Sequence, residues 1–545
     1  MFLVMQLGIS KSVSKKQKES ALIMRKQTKI AAVVSAAALL ALGASITSFA
    51  AAKGTWMMVD GEWYCYDKNG DAYTNTFCSS NGKEYYVGDD GQLVRSEWVE
   101  YDSSYYFVNS SGAKITNDWR LTTPYDDDSA DEEWFYFKSN GKRAEGEKIT
   151  YKGKTYYFDT DGIMLTGWVN KGEGTANVNE ASGYISGQTF YCDETGARVE
   201  GAWVKDTKPG ITDDDADEDE YWYYLKKATG KPATGKQSNI NGQIHLFNDE
   251  GQMQHGWVAE SRSYGTGSNA TKYTSDYYQL DEEGKDYAMD TAAYDVYYCG
   301  DEDDGHAKKN KWLKTWLPQD TNEEEDDQKW FWFDKNGELF RTSTGSNATK
   351  YKLDEGKLVV DGSASGVAKK KVNSKDYWFT SNGVMLSKFY MIDDNMYYFG
   401  GSDDGAMKTG AQTIKDNTGD SYNFYFYTKD QGSSYQSSNG KKLYKGAGVI
   451  GNQSNKLYYY GMLIKADDYK YQIAEVNYKT FIVNSNGSIQ HSSIEYKEDG
   501  DVLIDAKNVT FNKDDAQYKY NFDRSKLGSS SVTDIDLNNF VENIQ

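Results

Sequence analysis

Residues 156–168 read YYFDTDGIMLTGW. In an extended chain successive side chains point to opposite faces, so Tyr156 and Phe158 share one face and Tyr157 takes the other. Gly162 follows an Asp-Thr-Asp run, the composition of a tight turn that needs a left-handed residue. An apolar step ending in Gly-Trp comes next.

The stretch recurs. An aromatic–aromatic–apolar triplet stands six, five and four residues ahead of the turn glycine as Tyr85, Tyr86, Val87 before Gly91 and as Tyr106, Phe107, Val108 before Gly112. It appears again as Phe135, Tyr136, Phe137 before Gly141, as Phe190, Tyr191, Cys192 before Gly196, and as Phe331, Trp332, Phe333 before Gly337. Turn glycines of this kind fall at 70, 91, 112, 141, 162, 196, 230, 251, 284, 305, 337, 383, 405 and 440, and the shortest recurring interval is 21 residues. Each unit reads as a β-hairpin of strand, turn and second strand, with the turn at that glycine. A lone hairpin is at best marginal in water, so the units have to bury their rings against one another. The expected fold class is all-β, a solenoid of stacked β-hairpin repeats of about 21 residues with inserted acidic loops.

The inserts carry their own repetition. Pro124, Pro209 and Pro318 each follow a tryptophan (Trp119, Trp203, Trp312) and precede an acidic run, DDDSADEE, DDDADEDE or NEEEDD. Each run leads into a Trp-initiated strand at Trp134, Trp222 or Trp330. The octapeptide TGSNATKY occurs at 266–273 and again at 344–351, a second mark of duplication. Asp213, Asp215 and Asp217 match the first ligand positions of an EF-hand loop, but Glu218 replaces the required glycine and Tyr224 stands where the closing glutamate belongs. The loop is not an EF-hand; irregular Ca2+ binding and a plain solvated loop both stay open.

Composition narrows the function. The 545 residues are 38% hydrophobic and 15% aromatic, so the apolar surface lies mainly in Tyr, Trp and Phe and a large aliphatic core is not expected. A formal charge of −21 excludes a nucleic-acid partner, which would be repelled. A neutral glycan or a cationic group meets no such barrier.

From Met24, Arg25, Lys26 and Lys29 precede a small-residue apolar run from Ile30 to Ile46 and then alanines, the pattern of a secretory signal cleaved after Ala50 or Ala52. Residues 1–52 are thus read as a signal region, 53–440 as the hairpin array, and 441–545 as degenerate hairpins with a polar cap. No transmembrane segment is expected after cleavage, and no anchoring tail is expected after the array. Cys192 and Cys299 occupy strand positions filled elsewhere by hydrophobes, so free buried thiols are expected. Cys65 and Cys78 are read the same way.

The units GIMLTGWV at 162–169, GQMQHGWV at 251–258 and GAMKTG at 405–410, each preceded by paired aromatics, resemble the choline-binding or cell-wall-binding repeats of Gram-positive surface proteins. The glucan-binding repeats of glucosyltransferases and the repeat regions of clostridial toxins are similar too. The resemblance implies a β-solenoid with ligands held in aromatic pockets between hairpins. It implies, for choline, a cage of a Trp from the Gly-Trp step, a second Trp, another aromatic and a Met after the turn. The second Trp, seven residues before the turn glycine, survives as Trp63, Trp134 and Trp330, with Trp222 one residue further out. Elsewhere that slot holds Glu84, Thr155, Thr189 or Asp376. The Met, two after the glycine, survives as Met164, Met253, Met385 and Met407. No hairpin that keeps the Trp keeps the Met as well, a departure that leaves sugar stacking beside choline as the implied ligand chemistry.

Three clusters are therefore candidate ligand sites: Trp119, Trp134 and Tyr136; Trp203, Trp222 and Tyr224; Trp312, Trp330 and Trp332. The competing reading makes these rings simple core. His245, His255, His306 and His491 are the only histidines, and no HExxH, GxSxG, paired CxxC or phosphate loop is present. No catalytic residues, no cofactor and no metal site are assigned. The expected function is a secreted, non-enzymatic repeat protein of the cell surface, whose partner is a choline-bearing wall polymer or a neutral glycan. The alternative is a structural or adhesin-like surface protein whose acidic loops meet a partner or Ca2+.

Overall fold

The computed structural model describes residues 51–172, 178–211, 219–280, 293–318, 327–342, 344–529 and 532–542. Residues 1–50 of the signal region, Gly284, Asp213, Asp215, Asp217, Glu218 and most of the third acidic run lie outside them. The described residues form thirty-seven strands, paired as small antiparallel sheets and joined by a few 3-10 turns. Among them no helix is long and apolar enough to cross a membrane. The chain divides into two units, Met1–Asp118 with Phe137–Arg143, and Trp119–Tyr136 with Ala144–Gln545.

The first unit shows the repeat in its shortest form. Thr55–Val59 pairs with Glu62–Tyr66, Thr76–Ser80 with Lys83–Val87, and Trp98–Tyr101 with Ser104–Phe107. Their loops are two residues, Asp60-Gly61, Asn81-Gly82 and Asp102-Ser103, and all six residues have φ between 50° and 93°. Two left-handed residues give the turn whose twist matches that of the strands, which is why the long ladder forms here.

The turn glycines singled out in the sequence come one step later, after the triplet strand. At Gly70, Gly91 and Gly112 φ is 89°, 78° and 79°, and the chain reverses there. Each reversal closes with one bridge: Tyr66 with Ala72, Val87 with Leu93, and Val108 with Lys114. An Asx turn shapes it, the Asn109 side chain accepting from the backbone N–H groups of Ser111 and Ala113. The aromatic triplet thus pairs mainly with the strand before it, and the expected pairing across the later glycine shrinks to a single bridge.

The second unit repeats this scheme from Lys148–Tyr151 with Lys154–Tyr157 through Lys311–Thr315 with Lys329–Phe333. It then changes character. Ser346–Asp354 and the sixteen-residue strand Lys357–Val372 join a five-stranded sheet, and a second five-stranded sheet spans Gly410 to Leu463. Beyond this, Leu358, Ile464, Val476, Phe481, Val483 and Ile489 share one buried cluster. Val541 bridges back to Leu358, and Ile535 to Ala474. The carboxy-terminal part therefore holds a larger aliphatic core than the composition suggested. All four cysteines are free and buried.

One backbone bond organises the stacking within each unit. The residue two after a turn glycine donates its N–H to the carbonyl seven residues before the turn glycine of the preceding hairpin. In the first unit these bonds are Leu93 to Trp63, Lys114 to Glu84 and Arg143 to Tyr105, at 2.8–2.9 Å. In the second they include Met164 to Trp134, Arg198 to Thr155, Met385 to Trp330 and Met407 to Asp376, again 2.8–2.9 Å. The side chains so juxtaposed are complementary. Lys114 forms an ion pair with Glu84, and the Arg143 guanidinium lies 4.4 Å from the Tyr105 ring centre.

Candidate ligand sites

The same bond closes the sites. Met164 donates to Trp134 at 2.9 Å, Met253 to Trp222 at 2.8 Å and Met385 to Trp330 at 2.9 Å. Every Trp-bearing hairpin of the three clusters thus receives its Met from the hairpin that follows. The Trp and Met that never coincide within one hairpin of the sequence meet between two.

Each site is built alike. In the first, Trp119 meets Trp134 with ring centres 6.4 Å apart at 83°, and Tyr136 at 5.1 Å. In the second, Trp203 meets Trp222 at 6.4 Å and 89°, and Tyr224 at 5.2 Å. In the third, Trp312 meets Trp330 at 6.5 Å and 83°, and Trp332 at 5.3 Å. The following hairpin adds two more side chains on the face of the first Trp: Tyr156 and Phe158, His245 and Phe247, or Tyr377 and Phe379. The Met thioether lies over the turn glycine one hairpin further on, Gly196, Gly305 or Gly405, leaving no room there for a Cβ.

All nine candidate residues are brought into these three groups. Tyr136 and Trp332 are buried, while Trp119, Trp134, Trp203, Trp222, Tyr224, Trp312 and Trp330 are half-buried. The environment of the indole N–H separates them from core tryptophans. Trp168 and Trp257 are buried, and their indoles donate to the backbone carbonyls of Thr207 and Trp316 at 3.0 and 2.9 Å. Trp222 and Trp330 donate instead to carboxylates on exposed loops, Asp303 at 3.1 Å and Asp403 at 2.8 Å.

These aspartates were not singled out in the sequence, although a signal existed. The loops GDEDDG at 300–305 and GGSDDG at 400–405 are the same element a hundred residues apart, two residues longer than the DETG turn that ends at Gly196. The indole N–H holds each carboxyl below the usual range, helped by Lys205 on Asp303 and Lys314 on Asp403. Behind them, Asp304 pairs with Lys308 and Asp404 with Lys408. The Lys205 ammonium lies 5.8 Å from the Trp222 ring centre, a tethered cation already at that ring.

The second site differs from its sisters. His245 occupies the place of Tyr156 and Tyr377, and His306 follows Gly305 where Ala197 and Ala406 follow the matching glycines. The two histidines face each other as a bridge pair. Burial pushes the His245 imidazole down to about 4, and His306 adds to the effect. An open cavity of about 400 Å³ lies here, lined by Trp203, Trp222, Asn241, Gln243, His245 and His306 among others. Among the described residues no group of three or more acidic, His or Cys side chains is arranged to hold a metal ion.

Comparison with known proteins follows the same lines. Residues 129–171 match the family model of the choline-binding repeat, and residues 96–114 that of a putative cell wall binding repeat. Glucosyltransferase-I of Streptococcus downei is 25% identical over 452 residues, 76% of this chain and 23% of its own length. A putative endo-beta-N-acetylglucosaminidase of Streptococcus pneumoniae is 30% identical over 122 residues, 22% of this chain and 13% of its own. The chain thus spans less than a quarter of the length of these relatives. Among solved structures, the choline-binding domain of CbpL from Streptococcus pneumoniae is 27% identical, with 36% of this chain and 85% of that one covered and a TM-score of 0.25. Choline binding protein F of the same species is 17% identical, with 71% and 98% covered and a TM-score of 0.31. Two stretches of this chain thus match models of choline-binding and cell-wall-binding repeats.

Proposed function

We propose that this array of choline-binding-type repeats is an exported, non-enzymatic protein that attaches to the bacterial envelope through its three inter-hairpin cages. The carrying observation is the meeting of each cage Trp with a Met from the next hairpin, which supplies the closing side chain that a quaternary ammonium cage uses. Two tryptophans at right angles form the walls of a box suited to a compact cation, whereas a sugar ring stacks on a single flat face. A cation in such a box gains about 0.5–2 kcal/mol per aromatic contact, so single sites are weak and several acting together give retention. The net charge of −21 favours a cationic ligand and repels a bare polyanion.

A neutral glycan is the second chemistry, since Trp222 and Trp330 keep a carboxylate on the edge of the ring where a hydroxyl can bond. The test is retention of the full chain on purified cell wall with and without free choline, beside an α-glucan resin. Retention that choline elutes supports the cation reading, and retention on the resin alone replaces it. Failure to bind either support refutes the attachment function and leaves the structural, adhesin-like alternative.

A further inference from the structure

The packing between the first two hairpins breaks the pattern of later ones at two positions, and both changes are to cysteine. The residue five before a turn glycine shares a buried cluster with the residue thirteen further along, in the first strand of the next hairpin. Tyr86 is joined to Val99 in this way and Tyr136 to Ile149. At the same two places the first hairpin carries Cys65 and the second Cys78. An aromatic and an aliphatic side chain have thus given way together to two thiols. One cysteine among hydrophobes reads as a small apolar residue, but two that fill both halves of one packing position make a matched pair.

The backbone fixes both. Tyr73 donates its N–H to the Cys65 carbonyl at 2.8 Å, which closes the reversal at Gly70 and starts the path to Cys78. Ala52 lies beside Cys78 as a parallel bridge, donating to the Phe77 carbonyl and accepting from the Ser79 N–H, both at 3.0 Å. The two thiols are fully buried in one cluster with Val87, against Ala52, Trp56 and Tyr73, and they hydrogen-bond to each other. Gly54 completes the cover, since a Cβ there would collide with the Cys65 sulfur. Burial pushes both thiols up; the contact between them pulls Cys65 back and pushes Cys78 further, so Cys65 is the first to give a thiolate. Cys192 and Cys299 are buried as well, but each is the only cysteine of its cluster.

We infer that Cys65 and Cys78 are a redox site, whose disulfide clasps the first hairpin to the second. The reaction is exchange with a low-molecular-mass disulfide such as oxidised glutathione. The Cys65 thiolate attacks it, forming a mixed disulfide and releasing one small thiol; the Cys78 sulfur then displaces the other. A Cys65–Cys78 bond replaces the sulfur–sulfur bond broken in the oxidant, and the two small thiols released take up the two protons that the cysteines give up. Local opening of the cover at residues 51–54 admits the reagent. The link closes a short loop and restricts the unfolded chain. The opening hairpin gains most, because Met57, Met58, Val59 and Trp63 are exposed and, among the described residues, it stacks on a following hairpin alone. From the proposed function this takes only the exported setting, in which such a bond persists.

The experiment treats the full chain, reduced and then freed of reductant, with oxidised glutathione, alkylates it in denaturant and maps the peptides by mass. Of the four thiols, those of Cys192 and Cys299 are expected to be alkylated, with Cys65 and Cys78 recovered as one linked peptide lighter by two hydrogens. Limited proteolysis within residues 53–94 is expected to be about fivefold slower in the linked chain than after reduction. Cys78→Val, which installs the residue that Val99 supplies one hairpin later, is expected to abolish that difference and to be cleaved like the reduced parent. Four alkylated thiols, or glutathione left on either cysteine, overturn the pair. Cleavage that is indifferent to reductant overturns the clasp. Because the oxidant is supplied, neither result depends on the exported setting or on the cages, which wall retention tests separately.

Discussion

Replacing Trp134, Trp222 and Trp330 together with alanine separates a pocket from a core. Each ring is half-buried, and two of the three indoles bond to loop carboxylates. If each contributes about 0.5–2 kcal/mol to a bound cation and the three sites act on one polymer, the losses add to about 1.5–6 kcal/mol. That corresponds to roughly a tenfold to ten-thousandfold loss of retention at about 1.4 kcal/mol per decade. Stability should respond less, because each hairpin bonds to the one before it and a truncation is felt by its immediate neighbours. Phe158 is the control: fully buried, it packs among Tyr136, Trp119 and Met164, and its truncation should cost about 3–5 kcal/mol. The assay pairs wall retention across a choline gradient with denaturant unfolding of the same preparations. The reasoning is refuted if the triple variant is retained like the parent, or if each tryptophan destabilises the fold as much as Phe158→Ala.

Three further outcomes follow from the geometry. Gly305→Ala should destabilise the second site by about 1–3 kcal/mol, since φ there is 55° and the Met253 thioether fills the space of a Cβ; adding Met253→Ala should recover the part due to collision, and equal melting of parent and Gly305→Ala would contradict the packing. Glu84→Lys and Lys114→Glu should each lower the melting temperature and the double reversal should restore most of it, because the two face each other across the inter-hairpin bond; additive losses in the double variant would show that no pairing exists. His245 binds its proton at about 4 in the folded chain against about 6.5 unfolded, so the unfolded state takes up the proton first and stability falls as pH drops through that window, by up to about 3 kcal/mol, levelling below it. Unfolding midpoints of the parent and His245→Gln between pH 7 and 4 should converge accordingly, and parallel curves would refute the burial.

Much of this was legible in the sequence and some was not, for reasons that differ by residue. The nine candidate aromatics were found because strand alternation and fixed spacing from a glycine are local signals. The partner of each Trp was not, because Met164, Met253 and Met385 reach it from another hairpin, and a spacing measured inside one repeat misses a contact made between two. The turn glycines have the left-handed φ that was read for them, yet the long ladder forms at Asp60-Gly61 and Asn81-Gly82, where two left-handed residues in succession match the strand twist better. TGSNATKY shows a harder limit. At 266–273 it forms a hairpin tip with a 3-10 turn, and at 344–351 it runs into a nine-residue strand, so the same eight residues take the shape their surroundings dictate.

The backbone bond from each turn to the hairpin before it also bears on how such a chain is inherited. A site is owned by no single repeat: Trp330 lies on one hairpin and Met385 on the next. Copying one hairpin by itself therefore transmits half a cage, and a deletion that begins after Trp332 and includes Met385 would open the cage while leaving its tryptophans in the sequence. On the proposed function the smallest heritable piece that carries a site is two hairpins with the loop between them, shorter than the three-hairpin step on which Trp203 and Trp222 reappear as Trp312 and Trp330. On the proposed function, the cages in such an array are counted by Trp–Met pairs offset by one hairpin rather than by tryptophans.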